Sequence, residues 1–399
     1  MSEWPPLPPD AGPNFGHDGV DPRIAGGRLT VDLDALVENY RLLQRRAAPA
    51  RAAGVVKADA YGLGAARVGK ALWNAGCRTF FVALPQEGIE LRAALPEAEI
   101  YILNGTFGPE AAPAFAAHRL MPVIGSQADI SCWEAFGWNE GETPRPCAIH
   151  VDTGMNRLGL TPDEAQAFAA DNALTGALTP RLIMSHLACG DEAEHPLNRR
   201  QLESFQAVRA AFQGIESSLS NSAGIFLGPE FHFNVVRPGI ALYGGQPCNG
   251  ADNPMQAVAT LEARVVQVRR GRSGDTASYG AHGRLDRDSV IAVVSTGYAD
   301  GYHRASSFAG VPLRRASPAG GYGFVHGWRV PVLGRVTMDL TLFDVTDLGP
   351  DGVAIGDWIE LFGRNIPVDE AATAAGTISY EMLTSLGRRY HRRYVGGDG

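Results

Sequence analysis

The feature that most restricts the fold is a texture that runs from about residue 32 to residue 252 and then stops. Short apolar runs alternate there with amphipathic stretches. Runs of strand type stand at 54–56, 79–83, 100–103, 121–124, 147–151, 182–185 and 233–236, and helical periodicity marks 32–43, 65–74, 162–170 and 199–212. Strands that alternate with helices imply βα units and a parallel sheet. Eight units of about 27 residues fill the region, which is the size of a small (β/α)8 barrel of the TIM type. A doubly wound open sheet is the alternative, and spacing alone leaves it open. After about Gln256 the pattern changes. Runs at 261–269, 290–295, 330–333, 342–345 and 358–361 are β-branched or alternating, and a long helical pattern returns only at 380–394. The expected class is therefore α/β plus β, with a barrel over 28–256 and a mainly β C-terminal domain over 257–399. Residues 1–27 are rich in Pro, Gly and Asp and read as a disordered or surface tail. The stretch 312–327, PLRRASPAGGYGFVHG, reads as a loop or hairpin excursion.

Composition removes several classes of function. The 399 residues are 45% hydrophobic and carry a net charge of −8, and no stretch approaches the roughly 20 apolar residues of a membrane helix. A mildly acidic chain does not suit a nucleic-acid partner. The five cysteines are scattered without a CxxC pair, which reads as free thiols in a reducing compartment. With no signal-peptide pattern at the start, the expected location is the cytoplasm. There is neither a ligand-spaced Cys/His cluster nor a P-loop, so no metal or nucleotide site is expected.

The basic residues narrow the chemistry further. Of 35, only Lys57 and Lys70 are lysine. Any reaction that needs an amine nucleophile has two candidates. In VVKADAYGLG, at 55–64, Lys57 directly follows an apolar strand. In a barrel that is the C-terminal mouth, where catalytic groups sit. Beside a low-dielectric pocket an amine loses its proton more readily and becomes nucleophilic. Lys70 falls within a helical stretch and reads as a solvated charge. His118, His282 and His391 read as structural.

VVKADAYGLG resembles the pyridoxal-phosphate lysine motif of the alanine racemase family. Further segments follow in the family's order: HVDTGMNRLGL at 150–160, SHLA at 185–188, NSA at 221–223, RPGIALYG at 237–244, SYG at 278–280, GYADGY at 297–302, GRVTMD at 334–339 and ISYE at 378–381. The resemblance covers about 28–394 and crosses both expected domains. It implies an N-terminal barrel, a β C-terminal domain, pyridoxal 5'-phosphate as cofactor, and a homodimer whose active sites draw on both subunits. The implied reaction interconverts L-alanine and D-alanine, which would supply D-alanine for peptidoglycan.

The resemblance also implies roles. Lys57 matches the Schiff-base lysine and one of two bases. Tyr279 matches the second base, supplied by the partner subunit. Racemisation removes a proton from one face of Cα and returns one to the other, which two groups on opposite faces do directly. Arg237 matches the residue facing the pyridine nitrogen; an arginine keeps its own proton and leaves that nitrogen unprotonated. Tyr61, Ser222, Gly239, Ile240 and Tyr380 match the phosphate site, where a backbone amide or a helix N-terminus attracts an anion. His186 and Asn221 line the cofactor. Arg157, Met338 and Tyr298 match substrate-pocket residues. This chain departs from the family at His150, where many members carry a carbamate-modified lysine that orients the arginine at 157. A bound anion, water or Asp152 would have to serve instead. Leu340 and Thr337 also differ from common family residues. The other readings are a broader amino-acid racemase, a decarboxylase of the same fold, and a non-catalytic pyridoxal-phosphate carrier.

Overall fold

The computed structural model describes residues 20–136, 146–307 and 320–397. Residues 1–19 of the expected tail and 312–319 of the expected excursion lie outside the described residues. The chain divides into two compact units, one of Leu33–Gln256 and one of Ala257–Gly396 joined by the strand Gly27–Asp32.

In the first unit seven parallel strands follow one another in chain order: Gly54–Val55, Thr79–Val82, Glu99–Ile102, Met121–Ile124, Pro146–His150, Thr179–Met184 and Glu216–Ser218. Val235–Val236 supplies the eighth position and pairs in parallel with Arg51–Ala52. Backbone bonds close the ring. Asn234 N–H donates to Ser217 O at 3.0 Å and Arg237 N–H to Ser220 O at 2.9 Å on one side. On the other, Ala53 N–H reaches Val236 O at 2.9 Å and Val55 N–H reaches Pro238 O at 3.1 Å. These closing bonds decide for the barrel against an open sheet, because an open sheet leaves its two edge strands without partners.

The helices read from periodicity are present as Leu33–Ala47, Ala65–Asn74, Pro162–Thr175 and Pro196–Arg209. Their local signals explain their bounds. Thr161 Oγ1 accepts the Glu164 N–H at 3.2 Å while Glu164 accepts the Thr161 N–H at 2.8 Å, Pro162 fills the first turn, and Gly176 ends the helix at φ +60. Helices Pro85–Ala94, Ala112–Ala117 and Gln127–Ala135 escape the periodic reading because each buries only two residues. The strand Glu216–Ser218 escapes it because its sequence, ESS, is polar; its buried Ser217 and Ser218 are satisfied by Arg209 and by the Val235 carbonyl.

The second unit is built on an eight-stranded sheet, antiparallel in all but one of its pairings. The long strand Ala259–Gly271 organises it. Its first half pairs with Gly27–Asp32 and Trp358–Phe362; past an irregularity between Val265 and Gln267 it pairs with Ser289–Val294. Such a break bends a strand, so that one strand serves two sheet directions. Two sequence readings change here. The barrel was expected to begin at residue 28, but Gly27–Asp32 lies in this sheet, antiparallel to the long strand and parallel to His391–Val395. The helical pattern at 380–394 resolves into a short helix, Ser379–Thr384, and that same strand His391–Val395. A strand whose ladder partner comes from the far end of the chain leaves little local signal. The described part of the 312–327 stretch is a hairpin arm, Tyr322–Val325 paired with Trp328–Pro331. Among the described residues no helix is long and apolar enough to cross a membrane and no metal-ligating cluster exists.

Candidate active site

Lys57 emerges from the strand Gly54–Val55 at the barrel mouth, where Val56 N–H donates to Phe81 O at 2.9 Å. The next four residues, Ala58 to Tyr61, all have φ between +52 and +56. A run of non-glycine residues in this left-handed region costs about 1–2 kcal/mol per residue. Something must hold it, and three groups do. Asp59 accepts the Ala65 N–H on its carboxylate at 2.7 Å and the Gly64 N–H on its carbonyl at 2.9 Å. Tyr61 packs against Tyr243 with tilted rings 4.6 Å apart, and Tyr243 donates to the Val55 carbonyl at 2.9 Å, two residues before Lys57. Glu87 accepts the Ala58 N–H at 2.6 Å. Burial lowers the Lys57 pKa and the positive charge of Arg157 lowers it further, while Glu87 works the other way.

Arg237 follows the last strand and is buried. Its guanidinium bonds Ser218 Oγ and the Ser185 carbonyl, the latter at 2.6 Å, and approaches His186 Nδ1 at 3.4 Å. Burial pulls its pKa down to about 9, which still leaves it protonated at neutral pH. For His186, burial and then the charge of Arg237 push the imidazole well below its ordinary value, so the ring is neutral and its Nδ1 can accept.

Ser222, Gly239 and Tyr61 converge nearby. Ser222 Oγ accepts the Gly239 N–H at 2.8 Å and the Ala241 N–H at 3.3 Å. A Cβ on Gly239 would collide with the Tyr61 hydroxyl, so glycine is required for this approach. Ile240 opens the 3-10 turn Ile240–Tyr243 and is buried. Asn221 accepts the Gly224 N–H at 3.0 Å and donates to Leu187 O at 3.4 Å, tying two mouth loops together.

Arg157 is exposed on the loop after the strand that ends at His150. Asp152 does not bind its guanidinium. It holds the loop backbone, accepting the Gly154 and Met155 N–H groups at 2.8 and 2.9 Å. Burial opposes the Asp152 charge, but N–H donors from residues 154 to 157 outweigh it and its pKa is lowered. His150 is 8% exposed, and burial, reinforced by Arg237, takes its pKa down to about 4. It is a neutral imidazole, not an anionic substitute. Gln201, 0% exposed on the helix Pro196–Arg209, joins this loop to the next. It donates to Thr153 Oγ1 at 3.2 Å and to the His186 carbonyl at 2.9 Å, and accepts the Ala188 N–H at 2.9 Å.

The other expected residues belong to the second unit. Tyr279 is 72% exposed at the tip of the pair Thr276–Ala277 and Gly283–Arg284. The turn that displays it is strained at Ser278 and Ala281, which have φ of +61 and +56, while Gly280 takes φ +76 freely, and Ser278 Oγ is anchored on the Arg335 carbonyl at 2.7 Å. Tyr298 and Met338 sit on two loops bonded to each other, Tyr298 N–H to Thr337 O and Ala299 N–H to Met338 O, both at 3.0 Å. Arg389 clamps the same loops, binding both oxygens of buried Asp300 at 2.6 and 2.8 Å and Asp339 at 2.8 Å. Tyr380 lies in the first turn of Ser379–Thr384 and is partly exposed.

Sequence reasoning did not single out Glu87, Gln201, Tyr243 or Arg389. Only Glu87 left a local trace, three residues into a helix that opens with Pro85.

The barrel mouth suits an aldehyde cofactor that carries a phosphate. It offers an amine of lowered basicity, a buried guanidinium that only donates, and a glycine cradle bordered by two hydroxyls and backbone amides. Residues 31–247 match the family described as alanine racemase, N-terminal domain, and residues 258–394 the one described as alanine racemase, C-terminal domain. The chain is 56% identical over 373 residues to an alanine racemase of Rhizobium meliloti (strain 1021), covering 94% of this chain and 98% of that protein. It is 54% identical over 371 residues to a biosynthetic alanine racemase of Agrobacterium fabrum (strain C58), covering 93% and 94%. Among solved structures it is similar to alanine racemase from Bartonella henselae with covalently bound pyridoxal phosphate, with 39% identity, a TM-score of 0.84, and coverage of 93% of this chain and 100% of that one.

Proposed function

The chain belongs to the alanine racemase family and racemises alanine; from that premise we propose that pyridoxal 5'-phosphate is its cofactor and that Lys57 and Tyr279 are its two proton-transferring groups. The observation that carries this is the placing of Lys57, one of two lysines in the chain, directly before a left-handed turn at the mouth of the barrel. The bound cofactor supplies the electron sink that makes the substrate Cα–H acidic.

The chain does the rest. Burial keeps a share of the Lys57 amine unprotonated, so it can bond to a carbonyl carbon and afterwards hold or release a proton on one face of Cα. Arg237 would hold the ring nitrogen as a donor and leave it unprotonated, which would limit the sink and disfavour side reactions. Neutral His186 and Asn221 would line the cofactor. Tyr61, Ser222, the Gly239 and Ile240 backbone, and Tyr380 hold the phosphate. Arg157 meets the substrate carboxylate or the cofactor's phenolic oxygen, and Met338 and Tyr298, supplied like Tyr279 by the partner subunit, crowd the side-chain pocket to suit a methyl group. Tyr279, exposed on its own unit, serves the opposite face of Cα in the site of a partner subunit, which makes the working form a homodimer. D-alanine for peptidoglycan is the proposed product in the cell. All five cysteines are free thiols, which supports a cytoplasmic setting.

The test is incubation of L-alanine with the purified protein and pyridoxal 5'-phosphate in deuterated water. D-alanine that carries deuterium at Cα is the expected result. Cα exchange without D-alanine would remove Tyr279 from its role, and the absence of both would overturn the reading.

A further inference from the structure

One of the groups that hold the left-handed turn after Lys57 from outside is a carboxylate that also serves a neighbouring helix. Glu87 reaches across to the Ala58 N–H with one oxygen at 2.6 Å. Its other oxygen accepts the Ala83 and Leu84 N–H groups at 2.8 and 3.0 Å, at the start of the helix Pro85–Ala94. Three backbone donors from two loops of the barrel mouth thus meet on one side chain. The donor it takes from the turn belongs to the residue directly after Lys57, the first of four with positive φ.

We propose that Glu87 is a positioning residue for Lys57: it holds the left-handed turn through the Ala58 N–H and keeps a negative charge beside the amine. The proposal rests on the reading of Lys57 given above. Both oxygens are needed, because a carboxylate accepts on each side whereas an amide would present its NH2 to one of the donors. Burial and Arg157 disfavour the charged amine, and Glu87 is the group that opposes them. The amine is therefore set between a nucleophile and a charge carrier by its neighbour's carboxylate as well as by the pocket.

The test exploits the lysine count. With two lysines in the chain, trace acetylation of the apoprotein by acetic anhydride reads Lys57 against Lys70 as an internal standard, by mass spectrometry and without turnover. Glu87→Gln is expected to raise the Lys57/Lys70 labelling ratio at pH 8 by about 3- to 10-fold, since a one-unit fall in pKa is a tenfold gain in free amine. In the reconstituted enzyme the same change should lower kcat/KM by about tenfold or more. Ala58→Gly, which makes positive φ easy, should return both readouts part of the way in the Glu87→Gln background. If Glu87 only caps its own helix, Ala58→Gly will rescue nothing, and that result overturns the proposal. An unchanged labelling ratio overturns it as well. If Glu87→Gln does not fold, Glu87→Asp replaces it; it keeps the charge, but its shorter arm reaches the helix amides or Ala58 and not both, so the loss in kcat/KM and its partial rescue by Ala58→Gly are required of it. Labelling separates the two readings. A shifted ratio in a protein that makes no D-alanine would keep the Glu87 assignment and discard the racemase one.

Discussion

Lys57 and Tyr279 present opposite environments. Lys57 is half-buried among charges, whereas Tyr279 stands out on a strained tip. Their division of labour leads to a definite kinetic signature. Enantiomers have equal free energies, so Tyr279→Phe must lower kcat/KM by the same factor in both directions, about 10²- to 10⁴-fold for a lost acid–base group. The asymmetry is expected in Cα hydrogen exchange with retained configuration, which should survive for one enantiomer and vanish for the other. Equal loss for both, read by NMR in deuterated water, would remove Tyr279 from one-face duty. His150 carries a second prediction. Its folded pKa, about 4, lies below the ordinary 6.5, so the unfolded chain binds the proton more readily. Stability is fully present above about pH 6.5 and is lost as pH falls toward 4, by roughly 3 kcal/mol over the whole span. Urea midpoints at pH 7 and pH 5 should converge in His150→Gln relative to the parent protein. An identical pH response in both would show that another group sets the acid limb.

At the scale of elements, the site depends on loops cross-tied by buried polar groups. Gln201 is the clearest case, because its amide spans the loop that carries Arg157 and the loop that carries His186. Gly154, at φ +136, lets that loop lie against the Gln201 stem. Gln201→Leu keeps the volume but leaves an N–H, a carbonyl and a hydroxyl to find other partners, at a cost of about 2–3 kcal/mol. The denaturant midpoint should fall accordingly. KM for alanine should rise roughly tenfold, which corresponds to about 1.4 kcal/mol, if the two loops drift apart. A fall in stability with KM unchanged would confine Gln201 to folding. This tie was illegible in the sequence. A glutamine in QLESF reads as one more polar position on an amphipathic helix, and only the closed barrel brings its face under two loops.

For the whole molecule, the division of the expected residues between two units makes a prediction that needs both. Lys57→Ala and Tyr279→Phe should each keep no more than about 1% of the parent activity alone. If a site takes Lys57 from one subunit and Tyr279 from its partner, mixed dimers contain one intact site and one doubly altered site. Random re-association of equal amounts should then restore up to about a quarter of the parent activity. No recovery, with mixed dimers demonstrated by native mass spectrometry, would place both residues in the same subunit's site.

The sequence by itself determined the two-part architecture, because the alternation of apolar runs and amphipathic stretches ends near Gln256, and it singled out Lys57, because only one lysine of two follows a strand. It also located four helices, Ala65–Asn74 to the residue and the other three within a few residues at their ends. Tertiary structure alone decided the rest. Gly27–Asp32 left the barrel for the second sheet because its partners are Ala259–Gly271 and His391–Val395, and pairing across that much chain is not encoded in local pattern. The left-handed turn of Ala58–Tyr61 is invisible in ADAY, since of its four side chains only that of Asp59 suits positive φ and one such residue does not predict a run of four. It exists because Glu87, Tyr243 and Asp59 hold it, and a conformation held by distant groups becomes readable only when those groups are in place.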